Sequence, residues 1–117
     1  METLIGEGLF VFGDRDGGKG VALLQHPLGV TTHEGWVYVA DTYNHKVKVY
    51  HTEQRVLRTL AGTGEAGAAD GPLAQARFFE PGGLAFLDSA LYVADTNNHA
   101  LRRMDLAAAT VSTVRLY

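Results

Sequence analysis

Two short stretches hold the side chains best suited to chemistry: Asp41-Thr42-Tyr43-Asn44-His45 and Asp95-Thr96-Asn97-Asn98-His99. A carboxylate, an amide and an imidazole within one turn of chain are the ingredients of a metal site or a proton-transfer site. Histidine is both the commonest metal ligand and the side chain that titrates near neutral pH. A third stretch, Gly62-Thr63-Gly64-Glu65-Ala66-Gly67, has the G-x-G-x-x-G spacing of a loop that cradles a dinucleotide pyrophosphate. Which of these chemistries the chain can support depends on the elements that carry the residues.

A dinucleotide loop must open a long helix inside a strand–helix–strand unit. Here Gly67 is followed by Ala68-Ala69-Asp70-Gly71-Pro72, which stops a helix before it starts. Asp70 can cap at most a short turn over 72–77, with Pro72 near its first position. The glycines therefore read as permitting φ > 0 in a connecting loop, and no nucleotide cofactor is expected.

The Asp-Thr-x-Asn-His stretches belong to an internal repeat. Asp41 and Asp95 are 54 residues apart (95 − 41), and Pro27/Pro81, Gly29/Gly83, Tyr38/Tyr92, Asn44/Asn98 and His45/His99 keep that step. Asp16-Gly17/Asp70-Gly71 and Thr59/Thr113 extend the register in both directions. A period of this size marks a stacked or radial repeat architecture.

Within a unit, Trp36 to Ala40 is rich in β-branched and aromatic residues, and Lys46 to Tyr50 alternates apolar with basic. Gly29 to Thr32 is short and small, as a crowded inner strand would be, and Arg55 to Leu60 reads as a more polar outer strand. The second unit repeats this at 83–87, 90–94, 100–104 and 109–114. Each unit is thus four antiparallel strands, a to d. Lys46, Lys48, Arg102 and Arg103 fall on the polar side of strand c, which is expected to be solvated. Asp41, Asn44, Asp95 and Asn98 sit in the b–c turns, where such side chains bond nearby backbone N–H groups. His26, His33 and His51 do not recur and read as surface or edge residues, and Trp36 reads as local packing. Strand parity places the b–c turns and the Gly-rich d–a connections on one face.

Composition removes several classes of function. The chain has no cysteine, so neither a disulfide nor a thiolate metal site is available. Its formal net charge of −3 disfavours nucleic acid. It has no apolar run long enough for a membrane helix and no basic, apolar leader at the N-terminus, so a cytoplasmic protein is expected.

Tyr-Val-Ala-Asp-Thr-x-Asn-His at 38–45 and 92–99, with Pro-x-Gly at 27–29 and 81–83, resembles the core of the NHL repeat. The resemblance implies an all-β chain of two four-stranded propeller blades, in a propeller of about six. The expected layout is an inter-blade connection over 1–23, a first blade over 24–60, a Gly-rich loop over 61–77 and a second blade over 78–117. The function expected is a non-catalytic scaffold that binds protein or peptide on its loop face, through Asp41, Tyr43, Asn44, His45, Glu65, Asp95, Asn97, Asn98 and His99. Two other classes are implied by relatives of this fold: a metal-dependent lyase or lactonase, for which the sequence offers no set of metal ligands, and an RNA-binding module. Two blades cannot close a ring, so self-association is expected, as a head-to-tail homotrimer. The competing expectation is a piece of a longer propeller, aggregated or paired as a swapped dimer.

Overall fold

The computed structural model describes residues 16–18 and 28–114, and the stretches dense in β-branched and aromatic residues among them form strands. Those residues contain ten strands: β1 (Gly17–Gly18), β2 (Gly29–His33), β3 (Trp36–Asp41), β4 (Lys46–His51), β5 (Val56–Ala61), β6 (Gly71–Pro72), β7 (Pro81–Leu87), β8 (Ala90–Asp95), β9 (Ala100–Asp105) and β10 (Thr110–Val114). They pair as two antiparallel sheets in the orders β1-β5-β4-β3-β2 and β6-β10-β9-β8-β7. The four strands of each blade are those expected. The added two-residue strands, β1 and β6, come from the incoming connections and pair with the outermost strand of each blade. Pro27, His26 and the loop before Asp16 lie outside the described residues.

Turn chemistry sets the hairpins. Glu34 and Gly35 both have positive φ, as do Asp88 and Ser89, so each a–b link is a two-residue turn with the twist that antiparallel strands need. The expected short helix over 72–77 is a single turn, closed by Ala76 N–H donating to the Pro72 carbonyl. Asp70 does not cap it, because its carboxylate is engaged elsewhere.

The two sheets pack face to face. Tyr38, Val47, Val49 and Ala61 of the first meet Leu91, Val93, Met104 and Val111 of the second, with Ala76 and Phe78 of the connecting loop between them. Burial of these side chains supplies most of the driving force for stacking. The faces are not equivalent: Tyr38 is in this core but its repeat partner Tyr92 is not, and Leu91 and Val93 match Val37 and Val39, which point the other way. The blades therefore stack front to back, as they must to circle an axis. The innermost strands nearly touch. A Cβ on Gly29 would sit 1.8 Å from the Gly82 carbonyl oxygen, so only glycine fits there.

Strand β4 departs from the alternation read in the sequence. Val47, Lys48, Val49 and Tyr50 are all buried, so neither side of it is wet. Lys48 and Arg102, expected in solvent, are 0% and 1% exposed. Lys46 and Arg103 are half-buried. The reason lies in the carboxylates around the two buried cations.

Candidate ligand-binding face

Asp95 ends β8 and is fully buried. Its Oδ1 accepts the Phe79 N–H at 2.8 Å, and its Oδ2 accepts from Asn98 Nδ2 at 2.6 Å and from Arg102 Nη1 at 2.6 Å. Arg102, seven residues on in β9, spends its other donors on Asp70 (2.7 and 3.2 Å) and on the carbonyls of Arg77 (2.8 Å) and Ala69 (2.9 Å). Its guanidinium lies 5.1 Å from the Phe78 ring centroid, within range of a cation–π contact. Asp70 in turn accepts from the backbone N–H and the hydroxyl of Thr113 in β10. One guanidinium thus clamps the incoming loop, the b–c turn and the outer strand together.

The first blade repeats the clamp. Lys48 Nζ lies 3.2 Å from Asp16 and 3.5 Å from the buried Asp41. Asn44 Nδ2 donates to Asp41 at 2.8 Å, and Thr59 donates to Asp16 through both its N–H and its hydroxyl. The turn reading needs correction here. Neither Asp41 nor Asp95 caps its own 3-10 turn. Each instead balances a buried cation that would otherwise be costly to desolvate.

The b–c turns and the Gly-rich connection do share a face. A Cβ on Gly62 would lie 2.7 Å from the His45 carbonyl oxygen, and Asn98 Nδ2 donates to the Gly67 carbonyl at 2.6 Å. Gly62, Gly64 and Gly71 have φ of +107°, +94° and +128°, the left-handed backbone expected of them.

Between the two turns runs Phe79-Glu80. The Phe79 carbonyl accepts the Asn97 N–H, the Glu80 N–H donates to His45 Nδ1 at 3.0 Å, and Asn97 Nδ2 donates to Glu80 Oε2 at 2.5 Å. His45 meets the Phe79 ring edge-on, with centroids 5.6 Å apart. Because Nδ1 accepts a hydrogen bond, the proton of the neutral His45 ring is on Nε2.

Of the residues singled out in the sequence, His45 and Asn97 are brought together through this link. Tyr43, Asn97 and His99 are exposed on the same face, and Asn44 and Asn98 are half-buried supports. Glu65 stands apart in an exposed pair with Arg77 at 3.1 Å. Sequence reasoning missed Phe79 and Glu80, and it missed the Asp–cation clamp. The clamp had a signal: a basic residue seven positions after the repeated aspartate in both units. Trp36 and His51 pack edge-to-face at 4.3 Å, as local packing requires. His33 stacks on Phe86 of the next blade. Among the described residues, no group of three or more His, Cys, Asp or Glu comes close enough to hold a metal, and no helix is long and apolar enough to cross a membrane.

Two sheets stacked front to back, each of four main strands with one short added strand and each locked by the same clamp, are blades of a β-propeller. The profile of the NHL repeat matches residues 24–50. The chain is 49% identical over 102 residues to Protein SUPPRESSOR OF QUENCHING 1, chloroplastic, of Arabidopsis thaliana, covering 86% of this chain and 10% of that protein. It is 46% identical over 114 residues to NHL repeat-containing protein 2 of Homo sapiens, covering 93% of this chain and 16% of that one. The chain belongs to the NHL-repeat family, and it spans only about a tenth to a sixth of these relatives' length. Among solved structures it superimposes on an auxiliary nutrient binding protein of Bacteroides ovatus with a TM-score of 0.75 at 25% identity, over 95% of this chain and 28% of the other. It also superimposes on a putative phosphatase of Bacteroides thetaiotaomicron, with a TM-score of 0.72 at 27% identity, over 97% of this chain and 26% of the other.

Proposed function

We propose that this chain is a non-catalytic blade pair that binds protein or peptide through the face formed by its b–c turns and Gly-rich connection. One observation carries the reading. The acids repeated in every unit are consumed inside the blades, while the exposed side chains on that face, Tyr43, Phe79, Asn97 and His99, are of the aromatic and hydrogen-bonding types that make contacts. The likeness to an auxiliary nutrient binding protein supports a binding role. The test is selection of a phage-displayed heptapeptide library on the immobilised chain. Enriched peptides should bind at least about tenfold more weakly to the double variant Tyr43→Ala/Phe79→Ala. They should bind unchanged to Leu87→Ser, at the opposite end of β7. No enrichment, or loss with Leu87→Ser alone, contradicts the reading.

Self-association belongs to the same proposal. The outer face of the second blade carries a shallow cavity of about 240 Å³ lined by Gly83, Leu84, Ala85, Tyr92, Ala94 and Leu101. The matching face of the first blade is covered by its neighbour. A second copy offering its first blade would cover it, and three chains would complete a six-bladed ring. In a longer chain a following blade would take that place. Light scattering of the chain should give a trimer. A monodisperse monomer or dimer would contradict this.

A further inference from the structure

We propose that Glu80 anchors a subsite for a basic side chain, a lysine ammonium or an arginine guanidinium, of a bound peptide, with Phe79 as its aromatic wall. This rests on the peptide-binding reading above and specifies it. Glu80 stands out by charge. Asp16 and Asp41 face Lys48, Asp70 and Asp95 face Arg102, and Glu65 faces Arg77. The Glu80 carboxylate, on the same face, meets no cation among the described residues, and its side-chain partner is the neutral amide of Asn97. An ionised carboxylate has about four acceptor positions, so capacity is left for a charged donor.

The backbone sets Glu80 apart as well. Its φ is +53°, a left-handed conformation for a residue that also precedes a proline, Pro81. Both features are unfavourable for a side chain with a Cβ. The other non-glycine residues with positive φ among the described residues lie in the hairpin and b–c turns; Glu80 enters an inner strand instead. Its conformation is imposed from both blades. His45 of the first holds its N–H, Asn97 of the second holds its carboxylate, and the Phe79 peptide before it is fixed by Asp95 and Asn97. A charged group held this firmly has little freedom to lose on binding.

The adjoining Phe79 is 37% exposed, enough to offer an aromatic surface to a cation. The molecule already uses this pairing inside the second blade, where Arg102 sits between Phe78 and Asp95.

The experiment uses the heptapeptide library described above. The wild-type chain should enrich peptides sharing a Lys or Arg at one position. Glu80→Gln, which keeps the length and can still accept from Asn97, should melt as the wild type does and bind those peptides about tenfold more weakly. On the wild-type chain itself, raising salt about tenfold should weaken the basic peptide and leave its norleucine-substituted analogue unaffected. Peptides enriched without a shared basic position, equal binding by Glu80→Gln, or salt-independent binding overturn the subsite and leave peptide binding standing. Failure to enrich any peptide removes both.

Discussion

The two blades solve one electrostatic problem with different cations. In the first, Lys48 lies 3.2 and 3.5 Å from its two carboxylates. In the second, Arg102 reaches 2.6 and 2.7 Å and also binds the carbonyls of Ala69 and Arg77. An ammonium is a point charge with three donors; a guanidinium is a planar fork with five. Both neutralise the buried aspartate of the b–c turn. Each also ties the connection in front of its blade, Lys48 through Asp16 and Arg102 through Asp70 and the carbonyls of Ala69 and Arg77. The charge is common to both blades, and the planar fork reaches its two carboxylates at the shorter distances.

The largest effect should come from removing the second cation. Arg102→Met leaves Asp95 buried without its counter-charge and should cost about 3–5 kcal/mol in urea unfolding. Lys48→Met, whose carboxylate contacts are longer, should cost about 2–3 kcal/mol. Equal costs would erase the distinction between the clamps.

The same comparison applies at the axis. Gly29→Ala drives a Cβ into the Gly82 carbonyl and should cost about 2–3 kcal/mol, through backbone displacement. The equivalent Gly83→Ala meets only the Ala94 side chain, at 3.4 Å, and should cost less than about 1 kcal/mol. A strong effect at Gly83 in the chain alone would mean that its face is already covered.

Exchanging the cations sharpens the argument. Arg102→Lys keeps the charge and gives up the carbonyl contacts, so it should cost about 1–2 kcal/mol. It should also speed hydrogen exchange in the Gly-rich connection ahead of the rest of the blade.

The smallest effect concerns pH. Burial, with a lesser contribution from the Glu34 carboxylate, holds the Tyr38 phenol above its usual value of 10.0. The folded state therefore favours the neutral phenol. Its contribution is present in full below pH 10 and is lost as pH rises through the raised value. Tyr38→Phe should remove that alkaline slope while leaving stability at neutral pH little changed.

Much of this architecture was legible in the sequence, because a repeat reports each of its decisions twice. Tyr38 and Tyr92, or Asp41 and Asp95, fixed the unit, its strands and the face shared by the turns and connections. The burial of Lys48 and Arg102 was not legible from alternation. Period two says which residues share a side of a strand, but not that the far side is covered by a neighbour or that a carboxylate waits there. Asp16 and Asp70 were visible as part of the register, yet their partners Thr59 and Thr113 lie 43 residues further on. Distances of that kind come only from the fold. Phe79 and Glu80 were hidden for a related reason: their roles depend on His45 and Asn97, which belong to different units.

The claim tested most directly is that the repeated aspartate is a structural partner of the buried cation and has no functional role of its own. A double-mutant cycle over Asp95→Ala and Arg102→Met, followed by urea unfolding, isolates that coupling. If the clamp is as described, each single variant loses about 3–5 kcal/mol, and the double variant loses less than the two together by at least about 1 kcal/mol, because removing both ends leaves no buried charge unpaired. Additive losses, or an Asp95→Ala variant that unfolds like the wild type, would contradict the account.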